Sequence, residues 1–298
     1  ISPDADAIGS AGGMYLLLRD LGVDAKVYLP EPLPERFAEL AQGIIFTHQV
    51  SADAIDSLVV LDTASASRLG PESEMLRGAA AEVINVDHHG SNTEYGTLNW
   101  IESTTPATAV MVEQLYGALS KTPSAQAANL LYAGLMDDTG SFRYSNTTAL
   151  AFESASRLVA AGAEPERIAN SLYFSVPERV LRLKARSLSE LKVVLDGRVA
   201  FIAVSDEMLQ SCGAEPGDTE GVVDIARSLE GVEVAAFFRE IEKGWKVSLR
   251  AKHPAVDVNA VAAQFGGGGH RAAAGCSVEG SREEAEALIV KALEKELS

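Results

Sequence analysis

Two histidines follow an aspartate at Asp87-His88-His89, directly after the apolar run Val83-Ile84-Asn85-Val86. Imidazole suits Mn, Fe, Co or Zn, and a neighbouring carboxylate can orient a ligating ring through its second nitrogen. Three further acidic positions are placed to join them: Asp4-Ala5-Asp6, Asp62 at the end of Leu58-Val59-Val60-Leu61, and Asp138 in Asp137-Asp138-Thr139-Gly140. Residues two apart in an extended segment face one side, so Asp4 and Asp6 can address one site. Taken singly, each has an ordinary role, since an aspartate before a helix caps it and a glycine after one ends it. Taken together, the carboxylates suffice to bridge two divalent ions about 3.5–4 Å apart, the device that generates hydroxide and clamps an in-line phosphoryl displacement. Hard oxygen donors dominate, which favours Mn²⁺ or Mg²⁺ over a structural zinc.

A second constellation lies near the C-terminus, where Gly266, Gly267, Gly268 and Gly269 precede His270 and Arg271. A loop of glycines lets backbone N–H groups approach a phosphate closely, and the histidine and arginine add donors. Arg250 and Lys252, leaving a strand just before, are candidate phosphate partners, although a solvated strand end also accounts for them.

The elements that must position these residues follow from hydrophobic spacing. Helical periodicity runs from Ile8 to Leu21, where Gly22 is a natural stop, and Lys26 to Leu29 is a short strand. The runs ending in Asp62 and Asp87 read as buried parallel strands delivering carboxylates to one sheet edge, where open α/β sheets bind ligands. Helices are expected over 106–117, 124–136 and 148–161, and 164–195 reads as mostly helical with an interruption at Pro177. After Asp196-Gly197 the pattern changes: a strand over 199–204, a helix over 219–229, strands over 232–239 and 245–250, and helices over 256–265 and 282–297. The expected fold is α/β, a mainly parallel N-terminal sheet flanked by helices, a smaller C-terminal α/β domain with a mixed sheet, and an active-site cleft between them. Domains are expected at 1–180 and 193–298, joined by a helical connector over 181–192.

A chain of 298 residues with 47% hydrophobic content can build two cores. Its formal charge of −17 argues against long nucleic acid as a ligand, because that affinity comes from many Lys and Arg contacts to phosphate. Any nucleic-acid partner should be short. Cys212 and Cys276, the only cysteines, have no metal-ligand spacing and read as structural thiols. No apolar run approaches the roughly 18–20 residues that span a bilayer, and no signal pattern opens the chain, so the expectation is no membrane contact and a cytoplasmic location.

These motifs together resemble the DHH phosphoesterase superfamily, in its branch of oligoribonucleases (nanoRNases) and 3′-phosphoadenosine 5′-phosphate phosphatases. The segment from Ser2 to Ser10 is similar to the first family motif, Leu61-Asp62-Thr63 to the second, Asp87-His88-His89 to the third and Asp138-Thr139-Gly140 to the fourth. The segment Gly266 to Gly275 resembles the signature of the DHH-associated C-terminal domain. The resemblance implies two Mn²⁺ ions, replaceable by Mg²⁺ or Co²⁺, with Asp4 and Asp62 at one and Asp6, Asp62, His88 and Asp138 at the other. It implies that His89 contacts the scissile phosphate, that Asp87 orients the histidines, and that Arg250, His270 and the glycine loop grip the rest of the substrate. The activity implied is exonucleolytic release of 5′-mononucleotides from short oligoribonucleotides, linear dinucleotides included, and removal of the 3′-phosphate of 3′-phosphoadenosine 5′-phosphate, by a homodimer. Alternatives are an inorganic pyrophosphatase or exopolyphosphatase-like hydrolase, and a noncatalytic nucleotide-binding regulator. Ser2 and Ala5 stand where the family often has Asn and Gly, and the family places a histidine immediately before the position of Ile1; a truncated start is expected.

Overall fold

A computed structural model of the chain describes residues 3–49, 55–70, 72–253 and 255–297. The chain divides into two compact units, residues 1–175 and 176–298. No helix among the described residues is long and apolar enough to cross a membrane.

The first unit runs α1 (Ala5–Asp20), β1 (Val27–Tyr28), β2 (Phe46–Thr47), β3 (Ser57–Leu61), α2 (Ser73–Ala79), β4 (Glu82–Asp87), β5 (Leu98–Ile101), α3 (Thr108–Ala118), α4 (Ala125–Asp138), α5 (Ala149–Ala160) and α6 (Pro165–Tyr173). Its strands are parallel: β1 pairs with β2, and β3, β4 and β5 form a sheet in that order, with Leu58 opposite Val83 and Leu61 opposite Val86. That register brings the ends of β3 and β4 side by side, so Asp62 and Asp87 leave the sheet at one edge. The core is mostly helical, with Ile8, Leu17, Val110, Leu130, Leu131 and Leu158 all buried. Helix α1 begins earlier than apolar spacing suggests because Asp4 caps it, its Oδ1 accepting from the Ala7 N–H at 3.0 Å. Helices α1 and α4 touch backbone to backbone: a Cβ on Gly9 would lie 2.3 Å from the Leu130 carbonyl oxygen.

The second unit runs α7 (Glu178–Leu188), β6 (Lys192–Val194), β7 (Val199–Val204), α8 (Asp206–Cys212), α9 (Val222–Arg227), β8 (Val234–Ile241), β9 (Gly244–Ala251), α10 (Val258–Ala263), β10 (Gly268–His270), β11 (Ala273–Glu279) and α11 (Arg282–Glu296). Six strands form one mixed sheet in the order β10-β11-β9-β8-β7-β6, with β7 and β8 parallel and the other neighbours antiparallel. One face packs on α10 and α11 through Phe201, Phe238, Val247 and Ile289; the other packs on α7, α8 and α9 through Ile202, Phe237, Leu183 and Val222. The stretch read as helical to Leu195 ends instead in β6, whose three residues pair with β7. Among the segments without a sequence assignment, α8 is fixed by Ser205, which accepts from the Met208 N–H at 3.2 Å. The run Gly266–Gly269, expected to be an open loop, is partly strand. Gly269 sits at φ 154°, where a Cβ would meet the Ala273 carbonyl oxygen at 2.5 Å, so glycine is required by the close approach of β11. Both cysteines are free, and burial pushes the Cys276 thiol up to about 11, an unreactive thiol.

Candidate metal centre

The Asp87-His88-His89 segment leaves β4 at the sheet edge, and the two imidazoles diverge from there. His88 Nδ1 lies 3.2 Å from the Thr105 carbonyl oxygen, which can only accept, so this nitrogen carries the ring hydrogen. Burial first, then the neighbouring His89 charge, lower the pKa of His88 and so favour its neutral form. In that form its Nε2 is a bare lone pair. It faces Asp138 Oδ2 at 3.5 Å, Asp62 Oδ1 at 3.7 Å and Asp6 Oδ2 at 4.0 Å. These separations are too long for hydrogen bonds, and a lone pair surrounded by carboxylate oxygens is unfavourable unless a cation lies among them.

Among the described residues, donor atoms of Asp6, His88 and Asp138 lie within 4.8 Å of one another, and so do those of Asp62, His88 and His89. Each carboxylate is held by backbone or side-chain donors. Asp6, buried in α1, accepts from the Thr108 and Ala109 N–H groups at 2.6 and 2.8 Å, at the start of α3. Asp62, at φ 54°, accepts from the Thr108 hydroxyl at 3.1 Å while its own N–H donates to the Val86 carbonyl. Asp138 ends α4 and receives the Asn146 amide at 3.3 Å.

Desolvation and mutual repulsion make these acids costly to ionise together. Burial, then the charges of Asp62, Asp138 and Asp4, raise Asp6 well above the carboxylate range. Burial and the Asp4 charge push both Asp62 and Asp138 up to about 7. A buried set of oxygens and one imidazole nitrogen, each fixed from behind and mutually repelling, fits a divalent cation by its donor chemistry.

His89 faces a different environment. Its Nδ1 donates to Asp87 Oδ1 at 2.7 Å, and that bond raises the imidazole pKa. Asp87 is fully buried; burial alone would raise its carboxyl, but the bonds from His89 and from Asn92 Nδ2, at 2.6 Å, outweigh it and hold it below its usual range. Asn92 also donates to Asn85 Oδ1 and to the Thr63 carbonyl, and the Tyr95 hydroxyl donates to the same carbonyl.

The structure thus brings together Asp6, Asp62, Asp87, His88, His89 and Asp138. Asp4 stands outside both donor groups, exposed and capping α1, although its charge acts on Asp6, Asp62 and Asp138. Ile1 and Ser2 of the first motif lie outside the described residues. Asn92, Asn85, Thr105, Thr108 and Asn146 had no signal in the sequence, because polar residues at irregular spacing declare a partner only once folded.

In the second unit, strand register places Arg250 opposite Ala273, and Ala273 opposite His270, so these two cationic or donor residues share a row across three strands. Gly268 and Gly269 lie on the edge strand, and Gly267 just before it would carry a Cβ only 2.1 Å from the Gly275 carbonyl oxygen. Arg271 donates to the Ala255 carbonyl at 2.9 Å, and Lys252 lies 3.4 Å from the Leu229 carbonyl.

Comparison with known proteins agrees with this geometry. The family profile described as DHH family, N-terminal domain, matches residues 1–135, and that of the DHHA1 domain matches residues 198–298. The bifunctional oligoribonuclease and PAP phosphatase NrnA of Thermus thermophilus is 32% identical, the alignment covering 100% of this chain and 88% of that protein. The protein of the same name from Bacillus subtilis is 26% identical over 97% of this chain and 90% of its own length. Among solved structures, an exopolyphosphatase-related protein from Bacteroides fragilis superposes with a TM-score of 0.92 at 28% identity, covering 99% of this chain and 89% of that one.

Proposed function

This chain belongs to the DHH family and carries its DHHA1 domain, and from that membership we propose that it is a phosphoester hydrolase of short oligoribonucleotides and of 3′-phosphoadenosine 5′-phosphate. The observation that carries the reading is the His88 Nε2, set among the carboxylate oxygens of Asp6, Asp62 and Asp138 at 3.5–4.0 Å.

Asp6, Asp62, His88 and Asp138 would hold divalent cations, with Asp4 added by the charge it exerts on them. Two Mn²⁺ ions are the proposed pair. When bound, such ions supply an activated water and neutralise phosphate charge. Thr105 and Thr108 hold the donor atoms of His88 and Asp62 in place. His89, whose pKa is raised by its bond to the buried Asp87, is the group that contacts the scissile phosphate and hands a proton to the departing oxygen. Residues 1–180 would form the catalytic domain, 181–192 the connector and 193–298 the substrate-binding domain. There Arg250, Lys252, Gly267, Gly268, Gly269, His270 and Arg271 would hold the remainder of the nucleotide. Action as a cytoplasmic homodimer completes the reading.

The experiment is turnover by the Mn²⁺-loaded protein of 3′-phosphoadenosine 5′-phosphate and of a labelled triribonucleotide. Release of inorganic phosphate from the first and 5′-mononucleotides from the second is expected. Fast hydrolysis of pyrophosphate or polyphosphate with both nucleotides untouched would replace this reading by the pyrophosphatase one. One bound metal or none, with no turnover, would favour a noncatalytic nucleotide binder.

A further inference from the structure

The sheet face that carries Arg250 and His270 continues along the second unit. Alternate residues of a strand share a face, so Lys246, Ser248 and Arg250 of β9 point to one side. Antiparallel pairing extends each into a row: Arg250 with Ala273 and His270, Ser248 with Phe237 and Gly275, Lys246 with Arg239 and Ser277. At the last of these rows a cavity of about 280 Å³ opens, lined by Arg239, Lys246, Ser248, Phe237 and the turn residues Pro216, Gly217 and Thr219.

The charges in this cavity are out of keeping with the rest of the unit. Six arginines of the unit find carboxylates: Arg179 with Asp218, Arg182 with Glu178, Arg186 with Glu207, Arg198 with Glu233, Arg227 with Asp224 and Arg282 with Glu190. Among the described residues, neither Arg239 nor Lys246 has a carboxylate within ion-pairing distance, in a chain of net charge −17. Like charges directly opposite across strands are destabilising, so the pair costs the fold something that an anion would recover. The one carboxylate in the 216–219 turn, Asp218, is occupied by Arg179 at 2.8 Å and does not fill the role. The Ser248 hydroxyl, the Gly217 backbone and the buried Phe237 complete a wall with polar and apolar parts. The volume is just under the roughly 300–1,000 Å³ of sites that enclose whole ligands, suited to a phosphate with part of its sugar.

We propose that Arg239, Lys246 and Ser248 bind a further phosphate of an oligonucleotide whose nearer phosphate is held by Arg250 and His270. The inference rests on the hydrolase reading above and adds a length sensor to it. Lys246 and Arg250 are four residues apart on one strand, about 13 Å at ~3.3 Å per residue. That reach is too long for one phosphate to satisfy both groups. 3′-Phosphoadenosine 5′-phosphate has only two phosphates, one of them the phosphate that is hydrolysed, and has none to spare for the cavity. An oligonucleotide of several residues fills it.

The test compares a Arg239→Gln/Lys246→Gln double variant with the wild type on 3′-phosphoadenosine 5′-phosphate and on a tetraribonucleotide. Expected is a KM for the tetranucleotide raised about tenfold, an unchanged kcat, and unchanged kinetics on the bisphosphate; the salt dependence of tetranucleotide binding should flatten by about one unit of slope. Equal effects on both substrates, or none on either, would overturn the proposal. So would the same effect in a Lys291→Gln/Lys295→Gln control, which removes equal charge from exposed positions of α11. If the wild type cleaves neither substrate, the hydrolase reading fails, and the cavity is judged by tetranucleotide binding to metal-free protein. About tenfold weaker binding by the double variant alone sustains it, and equal binding rejects it.

Discussion

At the scale of single residues, the histidine pair shows how one sequence motif yields two chemistries. His88 and His89 are adjacent, yet burial and the His89 charge lower the pKa of the first, against the Thr105 carbonyl that would raise it, while the bond to the buried Asp87 carboxylate raises the second. Asn92→Ala removes one of the donors to the buried Asp87 carboxylate, a loss of about 1–3 kcal/mol. The expected result is a lower Tm and an acid limb of the pH–rate profile displaced from wild type, with metal stoichiometry unchanged. A structural role alone would lower Tm without moving that limb. The carboxylates make a second forecast. Asp62 and Asp138 reach about 7, and Asp6 is raised as well, so the ion-free folded chain holds protons that the unfolded chain has released above pH ~4. Stability therefore falls as pH rises from about 4 through 7. His88 acts in the opposite sense below its unfolded pKa, whereas Asp137 and His89, both raised, act in the same sense as the three acids. Thermal unfolding in chelator should show Tm dropping between pH 5 and 8, and saturating Mn²⁺ should flatten that slope. A chelated protein with a flat profile would mean the acids are not crowded as described. The Asp62, Asp87-His88-His89 and Asp138 positions were legible in the sequence because each ends a periodic segment. Thr105, Thr108, Asn92 and Asn146 were not, because their partners lie on other elements.

At the scale of elements, the centre depends on how tightly three helices meet. Asp6 is fastened to the start of α3, and a Cβ on Gly134 of α4 would fall 2.8 Å from Asp6 Oδ1 and 2.9 Å from the Ala109 Cβ. Gly134→Ala should therefore push α4 from α1 and α3, costing about 1–3 kcal/mol and weakening metal binding at the same time. Calorimetry of Mn²⁺ binding beside a melting curve checks this, and a variant with lowered Tm but native metal affinity would contradict it. Gly269→Ala belongs to the other unit. A Cβ there collides with β11 and should raise the KM for nucleotides while leaving bound metal unchanged. Most helices and the strands over β3, β4, β7, β8 and β9 could be read from apolar spacing, since each buries one face or two. The edge strand β10 could not. Glycine has no strand preference of its own, and only the approach of Ala273 and Ala274 makes it extended there. The start of α1 was likewise set by the Asp4 cap rather than by apolar spacing.

At the scale of the whole molecule, charge and core division act together. A net charge of −17 opposes the binding of any polyanion, yet the acids of the candidate metal centre are gathered in the first unit, while Arg239 and Lys246 line a cavity of the second. Divalent ions held there would convert the first unit from a repulsive to an attractive surface for phosphate, so substrate affinity should depend on metal more steeply than the role proposed for His89 alone requires. The two units also build separate cores, with no buried residue common to them. All the donors named here lie in α1, at the ends of β3 and β4, and at the end of α4. Binding of Mn²⁺ stabilises only the state that holds those donors in place, by RT ln(1 + [L]/Kd), about 2.7 kcal/mol at a hundredfold excess over Kd. Hydrogen exchange with and without Mn²⁺ should accordingly slow amides of residues 5–20, 58–62, 82–92 and 105–138 and leave strands β7, β8 and β9 unchanged. Protection spread evenly over both units would show that the ion is held by more of the chain than these donors, and the assignment of the centre to the first unit would have to be given up.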